Sequence, residues 1–306
     1  MKRRGRPVHG WIVLDKPQGL SSAGAVAAVK RALDAAKAGH AGTLDPLATG
    51  VLPVALGEAT KTASYVVDAR KVYAFTVRWG EARDTDDAEG RVTAERPHRP
   101  SADAIRAALP GFVGQQAQIP PAFAAIKVAG ERAYARARRA ENVEMVPRLV
   151  EIEALEFLDC PDADHARLRV RCGKGTYVRA LARDLAVRLG TVGHIQALRR
   201  EAVGRFGLET AISLAQLEVL GHSAAHNPHL IPLETALDDI PALALDADEA
   251  GRLKRGQSVQ VRDARAQALL ESREAGAIMW AREGDRAVAI VRTDGEFIRP
   301  VRVFHL

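Results

Sequence analysis

The sequence predicts an α+β fold carrying a small β-rich C-terminal piece. Three observations lead there: apolar strands that alternate with polar residues, two amphipathic helical stretches without a regular βαβ rhythm, and a change of character near residue 238. Beyond that point GQSVQV, AIMWA, AVAIVR and FIRPVRVF read as short strands separated by Gly, Asp and charged turns. The expected organisation is a domain over 1–237 and a smaller one over 238–306.

In order along the chain, WIVL at 11–14 reads as a short buried strand. Ser22 is placed as the N-cap of a helix through about Ala36, with Val26, Val29, Lys30 and Leu33 at helical spacing. VLPVAL at 51–56 is a strand interrupted by Pro53, which suggests an edge or a bend. Tyr73, Phe75, Val77 and Trp79 alternate as one aromatic face of a strand. LVEIEALEFL at 149–158 and ARLRVRC at 166–172 form a strand pair across the turn-like CPDAD. After Gly175, the residues Val178, Leu181, Ala182, Leu185, Ala186 and Leu189 mark a helical stripe that Gly190 ends, with Arg179 and Arg183 off that stripe.

With 306 residues and 47% apolar composition, the chain can fill a sizeable core. Cys160 and Cys172 lie twelve apart with no CxxC partner, so neither a disulfide framework nor a zinc site is indicated, and a reduced cytoplasmic protein fits. The basic start MKRRGRP leads into no long apolar segment, and neither export nor membrane spanning is expected. The net charge of +6 is unevenly spread. Residues 165–205 hold ten Lys or Arg against two carboxylates, whereas 81–103 hold seven acids against four arginines. Concentrated positive charge suits a polyanionic partner, although solvated arginine faces would look the same.

The stretch GHAGTLDPLATGVLP sets Asp45 between a glycine turn and a proline. Gly39 and Gly42 allow backbone angles closed to other residues, and Pro46 keeps Asp45 extended, so a stiff, non-helical segment presents the carboxylate. Such geometry suits a nucleophile or base; a plain turn aspartate is the alternative. GEATKT at 57–62 lacks the glycine a P-loop requires before its lysine. Asp45 and Thr49 have the spacing of a phosphotransferring aspartate loop without the apolar strand that should precede it. His222, His226 and His229 are spaced like metal ligands, but Asn227 and Pro228 break the helix that would align them. No metal and no cofactor is expected.

GHAGTLDPLATGVLP resembles the catalytic loop of the bacterial tRNA pseudouridine synthase B family, enzymes that isomerise the T-loop uridine at tRNA position 55. LDKPQGLSS, GEATK, KVYAF, KGTYVRALARDL and GHIQALRREAVGRF follow in the family's order. PPAFAAIKVAGERAYARAR with RLVEI is similar to its RNA-gripping thumb, at about 120–150. The resemblance implies Asp45 as nucleophile, Tyr73 as the ring stacking on the target base, and Arg179 as partner of the Asp45 carboxylate. It implies Lys61, Tyr177 and Leu198 as pocket lining, His40 as a hold on the flipped nucleotide, and thumb contacts from Arg136 and Arg138. Ala124 and Arg83 depart from the family pattern, where serine and threonine are usual. The implied fold is the mixed-sheet pseudouridine synthase core with a PUA-like C-terminal domain that binds RNA. The implied activity is base flipping followed by glycosidic rearrangement on tRNA, with no obligatory protein partner and a monomeric chain. A tRNA-binding or folding chaperone without catalysis is the competing expectation.

Overall fold

The computed structural model describes residues 5–124, 126–128, 131–132, 139, 145–220, 228–274, 276–294 and 296–306. The chain runs through β1 (Gly10–Lys16), α1 (Ser22–Ala32), β2 (Ala38–His40) and β3 (Thr49–Leu56), then a 3-10 turn at Gly57–Lys61 and α2 (Ala63–Asp68). It continues with β4 (Lys71–Trp79), β5 (Glu81–Arg83), β6 (Val92–Glu95), α3 (Ala102–Ala108), β7 (Gly114–Gln118), and the two-residue strands β8 (Lys127–Val128) and β9 (Glu131–Arg132). β10 (Arg148–Asp162), β11 (His165–Cys172), α4 (Val178–Arg188), β12 (Gly193–Val203), β13 (Phe206–Gly207) and α5 (Leu214–Leu220) follow. The last part holds β14 (Ala242–Ala244), α6 (Ala247–Lys254), β15 (Val259–Gln260), α7 (Ala264–Glu271), β16 (Ile278–Glu283), β17 (Arg286–Asp294) and β18 (Phe297–Val303).

Nine strands make the first sheet, ordered β1-β3-β12-β4-β11-β10-β7, with β2 beside β3 and β13 beside β12. Its pairings are antiparallel except where Arg199 and Arg200 of β12 meet Thr49 and Gly50 of β3. The sheet is therefore mixed, and the fold is α+β. That short parallel contact is the seam between its two halves. On the helix-bearing face, α4 places Leu181, Ala182, Leu185 and Ala186 against Val77, Trp79 and Ile195, while α1 places Ala25 and Val29 against Ile12, Leu14 and Leu52. Each fully buried large side chain contributes about 1.5–3 kcal/mol.

The second sheet, ordered β14-β16-β17-β18-β15, is built within residues 242–303. It packs on the other face of the first: Trp280, Ile290 and Phe304 share a core with Trp11, Val13, Phe206 and Leu237. A separate core of Leu243, Leu253, Met279, Val288 and Ile298 fills its interior. Among the described residues, no helix is long and apolar enough to cross a membrane.

The structure adjusts several local expectations. Ser21 caps α1 by accepting from the Gly24 N–H, and the helix ends at Ala32, where Leu33 caps it and Asp34 turns left-handed at φ +46°. Pro53 marks no edge, because β3 lies inside the sheet. It sits where the far side of β3 passes from β12 to β2, and its carbonyl accepts from Ala41. The hairpin after β10 is tighter than CPDAD implied, with Asp162 opposite His165. Arg179 does lie off the apolar stripe of α4, yet it is buried.

Candidate active site

The Asp45 loop crosses the seam between the sheet halves, and four groups from distant elements fix it. Ser22 Oγ donates to the Leu44 carbonyl at 2.9 Å and accepts the Leu44 N–H at 2.8 Å. The fully buried Lys16 ammonium donates to the carbonyls of Pro17, Leu20 and Pro46 at 2.9, 2.8 and 3.3 Å. The Gly19 N–H also donates to Pro46 O, at 2.8 Å. From β12, the buried Arg200 gives its guanidinium to the carbonyls of Val51, Gly42 and Thr43 at 2.7, 3.0 and 3.4 Å. Gly42 takes φ +91° to make this path, whereas Gly39 is an ordinary β2 residue. Asp45 then accepts the Ala48 N–H on its own carbonyl at 3.1 Å. So many constraints leave the aspartate side chain little freedom of direction.

Arg179, in the first turn of α4, is 5% exposed and sets its Nε 2.9 Å from Asp45 Oδ2. Its Nη1 donates to Thr85 O at 2.8 Å and its Nη2 to Phe123 O at 3.0 Å. A second buried carboxylate, Asp87, lies 3.6 Å from the same Nε. Asp87 is itself held by the Thr85 hydroxyl at 2.6 Å and the Glu89 N–H at 3.1 Å. Among the described residues, no group donates to Asp45 Oδ1. The carboxylate, 36% exposed, thus has one oxygen anchored and one available.

The cavity beside it, about 330 Å³, is lined by Asp45, Lys71, Tyr73, Tyr177, Arg179, Leu198 and Arg200 with the loop at 173–176. Tyr73 is half-buried, and its hydroxyl is enclosed beside Arg200; burial pushes that phenol up. Tyr177 is the cap residue of α4, where the Gln118 amide accepts from its N–H at 2.8 Å and donates to its carbonyl at 3.1 Å. Burial raises its phenol too. Leu198 is a buried apolar wall. Lys71 donates to the carbonyls of Val67 and Ala69, and burial, helped by Arg200, pulls its ammonium down to about 8. Lys16 also falls to about 8 through burial, opposed by the charge of Asp45.

A larger groove of about 590 Å³ is lined by Ala74, Thr76, Gln196 and Ala197 together with Arg167, Arg169 and Arg199. Each of those guanidinium groups is already neutralised, by Asp159, Glu201 and Asp15. Size favours this groove; the exposed carboxylate aimed by a buried cation favours the smaller cavity.

The structure therefore brings Asp45, Tyr73, Tyr177, Arg179 and Leu198 together around one space. Lys61 does not line it. The Gly57–Lys61 turn carries the Lys61 ammonium away, to Glu58 at 2.6 Å and to Val303 O of the second sheet at 2.7 Å, and the lysines that line the cavity are Lys71 and Lys174. His40 stands on β2 just outside the lining, half-buried, with an enclosed Nδ1; burial and Arg200 depress its pKa. Arg136 and Arg138 lie outside the described residues, as do His222 and His226. Among the described residues, no three metal-capable side chains gather as a site. Lys16, Lys71, Asp87 and Arg200 were missed, although strand alternation put Lys16 on the face of Ile12 and Leu14, and Arg200 on that of Leu198.

A family profile described as "TruB family pseudouridylate synthase (N terminal domain)" matches residues 30–178, and one described as "tRNA pseudouridylate synthase B C-terminal domain" matches 179–238. The tRNA pseudouridine synthase B of Bradyrhizobium diazoefficiens is 53% identical, covering 100% of this chain and 88% of that protein. The one of Rhodospirillum rubrum is 49% identical, covering 100% and 99%. Among solved structures, the archaeal box H/ACA sRNP Nop10-Cbf5 complex aligns at TM-score 0.73 with 23% identity, covering 100% of this chain and 92% of the other. A Cbf5-Nop10-Gar1 complex aligns at 0.72 with 25% identity, covering 97% and 85%. The fold, the seam carboxylate held by a buried arginine, and half-identical relatives along the whole length agree: this chain belongs to the TruB family of pseudouridylate synthases.

Proposed function

We propose that the chain isomerises the T-loop uridine at position 55 of tRNA to pseudouridine, with Asp45 as nucleophile and Arg179 as the group that aims it. The single observation that carries this reading is the Asp45 carboxylate, anchored through Oδ2 by a buried guanidinium and open at Oδ1 beside a base-sized cavity. The reaction breaks the N1–C1′ bond, turns the uracil, joins C5 to C1′, releases the C5 proton to solvent and leaves N1 protonated from solvent. An anionic group close to the sugar can open the first bond, by attack at C1′ or by promoting a glycal intermediate. A stacked T-loop base must first be extruded, and an aromatic ring and an apolar wall offset the lost stacking. Tyr73 and Leu198 supply these, with Tyr177 closing the cavity mouth and His40 behind the loop.

Residues 1–237 serve as the catalytic domain and 238–306 as a PUA-like RNA-binding domain; the independent core of the second sheet supports the division. The thumb, about 120–150, grips RNA through Arg136 and Arg138. The enzyme is an isomerase that works as a monomer without an obligatory protein partner. A chaperone that only folds tRNA gives no reason to hold a carboxylate this way, and it is not favoured.

Incubating unmodified tRNA transcript with the purified chain and mapping pseudouridine tests the reading. Asp45→Asn should form no product while binding tRNA within about threefold of wild type, because the amide keeps the shape and loses the nucleophile. Product at another uridine, or turnover by Asp45→Asn, would refute it.

A further inference from the structure

Arg179 is aimed by neighbours that belong to two separate segments. Thr85 O comes from the turn after β5, and Phe123 O from the segment after β7. Neither segment is part of α4, so something must hold each of them against that helix. Arg183, one turn further along α4, touches both. Its Nη1 lies 2.9 Å from Asp86 Oδ2, next in sequence to Thr85, and its Nη2 donates to Ile119 O at 2.8 Å. Its Nε is taken by Asp184 at 2.9 Å. Between Ile119 and Phe123 lie Pro120 and Pro121, whose fixed φ angles stiffen the link, so pinning one carbonyl restricts the other.

Asp86 has the marks of a residue kept for geometry. Its backbone is left-handed at φ +59°, a conformation that costs a non-glycine residue about 1 kcal/mol or more, less for aspartate than for most. Its carbonyl accepts the Ile195 N–H at 3.0 Å, which locks the turn to β12. Burial pushes its carboxyl above the ordinary range even with Arg183 and Arg179 nearby. The Asp86 contact with Arg183 ties the turn after β5 to α4.

We infer that Arg183 is a positioning residue for the reaction: by holding Asp86 and the Ile119 carbonyl, it fixes the Thr85 and Phe123 carbonyls that point the Arg179 guanidinium at Asp45. The inference rests on the reading of Asp45 and Arg179 as the reacting pair. It also makes the Arg179 carbonyl ligands a link between the catalytic carboxylate and the root of the thumb.

The test is a double-mutant cycle on single-turnover rate at saturating tRNA, with tRNA affinity and thermal unfolding measured alongside. Asp86→Asn keeps the left-handed turn, which asparagine tolerates, and removes the charge; Arg183→Gln removes the partner. Each should lower the rate roughly tenfold, with affinity within about twofold and melting within a few degrees of wild type. In the Arg179→Lys background, neither should cost more than about a further twofold, because the aim is already lost. Wild-type rates for both variants, losses confined to affinity, or equal losses in both backgrounds would overturn the inference; so would unfolding of both variants. If Arg179→Lys itself matches wild type, the reading of the reacting pair falls and this inference falls with it. An active wild type and an impaired Arg179→Lys, beside an unaffected Arg183→Gln, overturn this inference alone.

Discussion

Replacing Arg179 by lysine separates charge from direction at the seam carboxylate. Arginine here makes three close contacts from one planar group: Asp45 at 2.9 Å, Thr85 O at 2.8 Å and Phe123 O at 3.0 Å. A lysine ammonium on a shorter, unbranched tip reaches Asp45 or the carbonyls, but it cannot span all three. At least one of these part-buried carbonyls loses its charged donor, so folding stability should fall by about 1 kcal/mol. The Asp45 side chain keeps a cation nearby but loses an Nε contact whose direction the Thr85 and Phe123 carbonyls set. A displacement of about 1 Å at a reacting atom costs on the order of 100-fold in rate. Arg179→Lys should therefore bind tRNA within about threefold of wild type and turn it over about 100-fold more slowly. Single-turnover release of the C5 proton, followed with tritium-labelled uridine in the tRNA, reads the chemical step directly. A lysine variant within threefold of the wild-type rate would refute the argument that direction, rather than charge, is what Arg179 provides.

Lys71 should show in the pH dependence of stability. Its folded pKa of about 8 lies below the ordinary 10.5, so between these values the unfolded chain binds more protons and stability rises with pH. Denaturant unfolding of wild type and Lys71→Met between pH 7.5 and 10.5 should show wild type gaining on the variant by up to about 1.4 kcal/mol per pH unit, and parallel curves would contradict this. Gly50→Ala should destabilise by about 3 kcal/mol or more, since the added Cβ would meet Arg200 O at 2.2 Å with the backbone at φ +98°. A melting temperature within a degree or two of wild type would show that β12 moves aside easily. Lys61→Met should expose the second sheet to limited proteolysis, because that ammonium bridges Glu58 and Val303 O; unchanged cleavage kinetics would remove the Gly57–Lys61 turn from the contact between sheets.

Much of the site was legible in the sequence because its signals are local. A glycine turn before Asp45 and a proline after it report a stiff irregular segment whatever the rest of the chain does. The stripe from Val178 to Leu189 reports α4, and the period-2 rows report β4 and β11. The same period carried information left unused: Lys16 continues the inward row of Ile12 and Leu14, and that row ends at the Asp45 loop. Family resemblance supplied the reactive set, and all of it described here except Lys61 and His40 lines one cavity.

What the amino-acid sequence alone determined, then, was the set of elements and the loop that presents the acid. Which groups surround that acid was decided only by the tertiary fold. Arg179 meets Thr85 and Phe123 across 94 and 56 residues of chain, and it meets them through backbone carbonyls. Arg200 grips Gly42, Thr43 and Val51 in the same way. A carbonyl is present at every residue, so no side-chain pattern marks the ones that will be used. Lys61 and Lys71 differ by ten positions and carry the same charge; only the direction of the Gly57–Lys61 turn sends one to the second sheet and leaves the other at the cavity. Periodicity tells a side chain which face of its own element it occupies, and packing between elements then determines what it finds there.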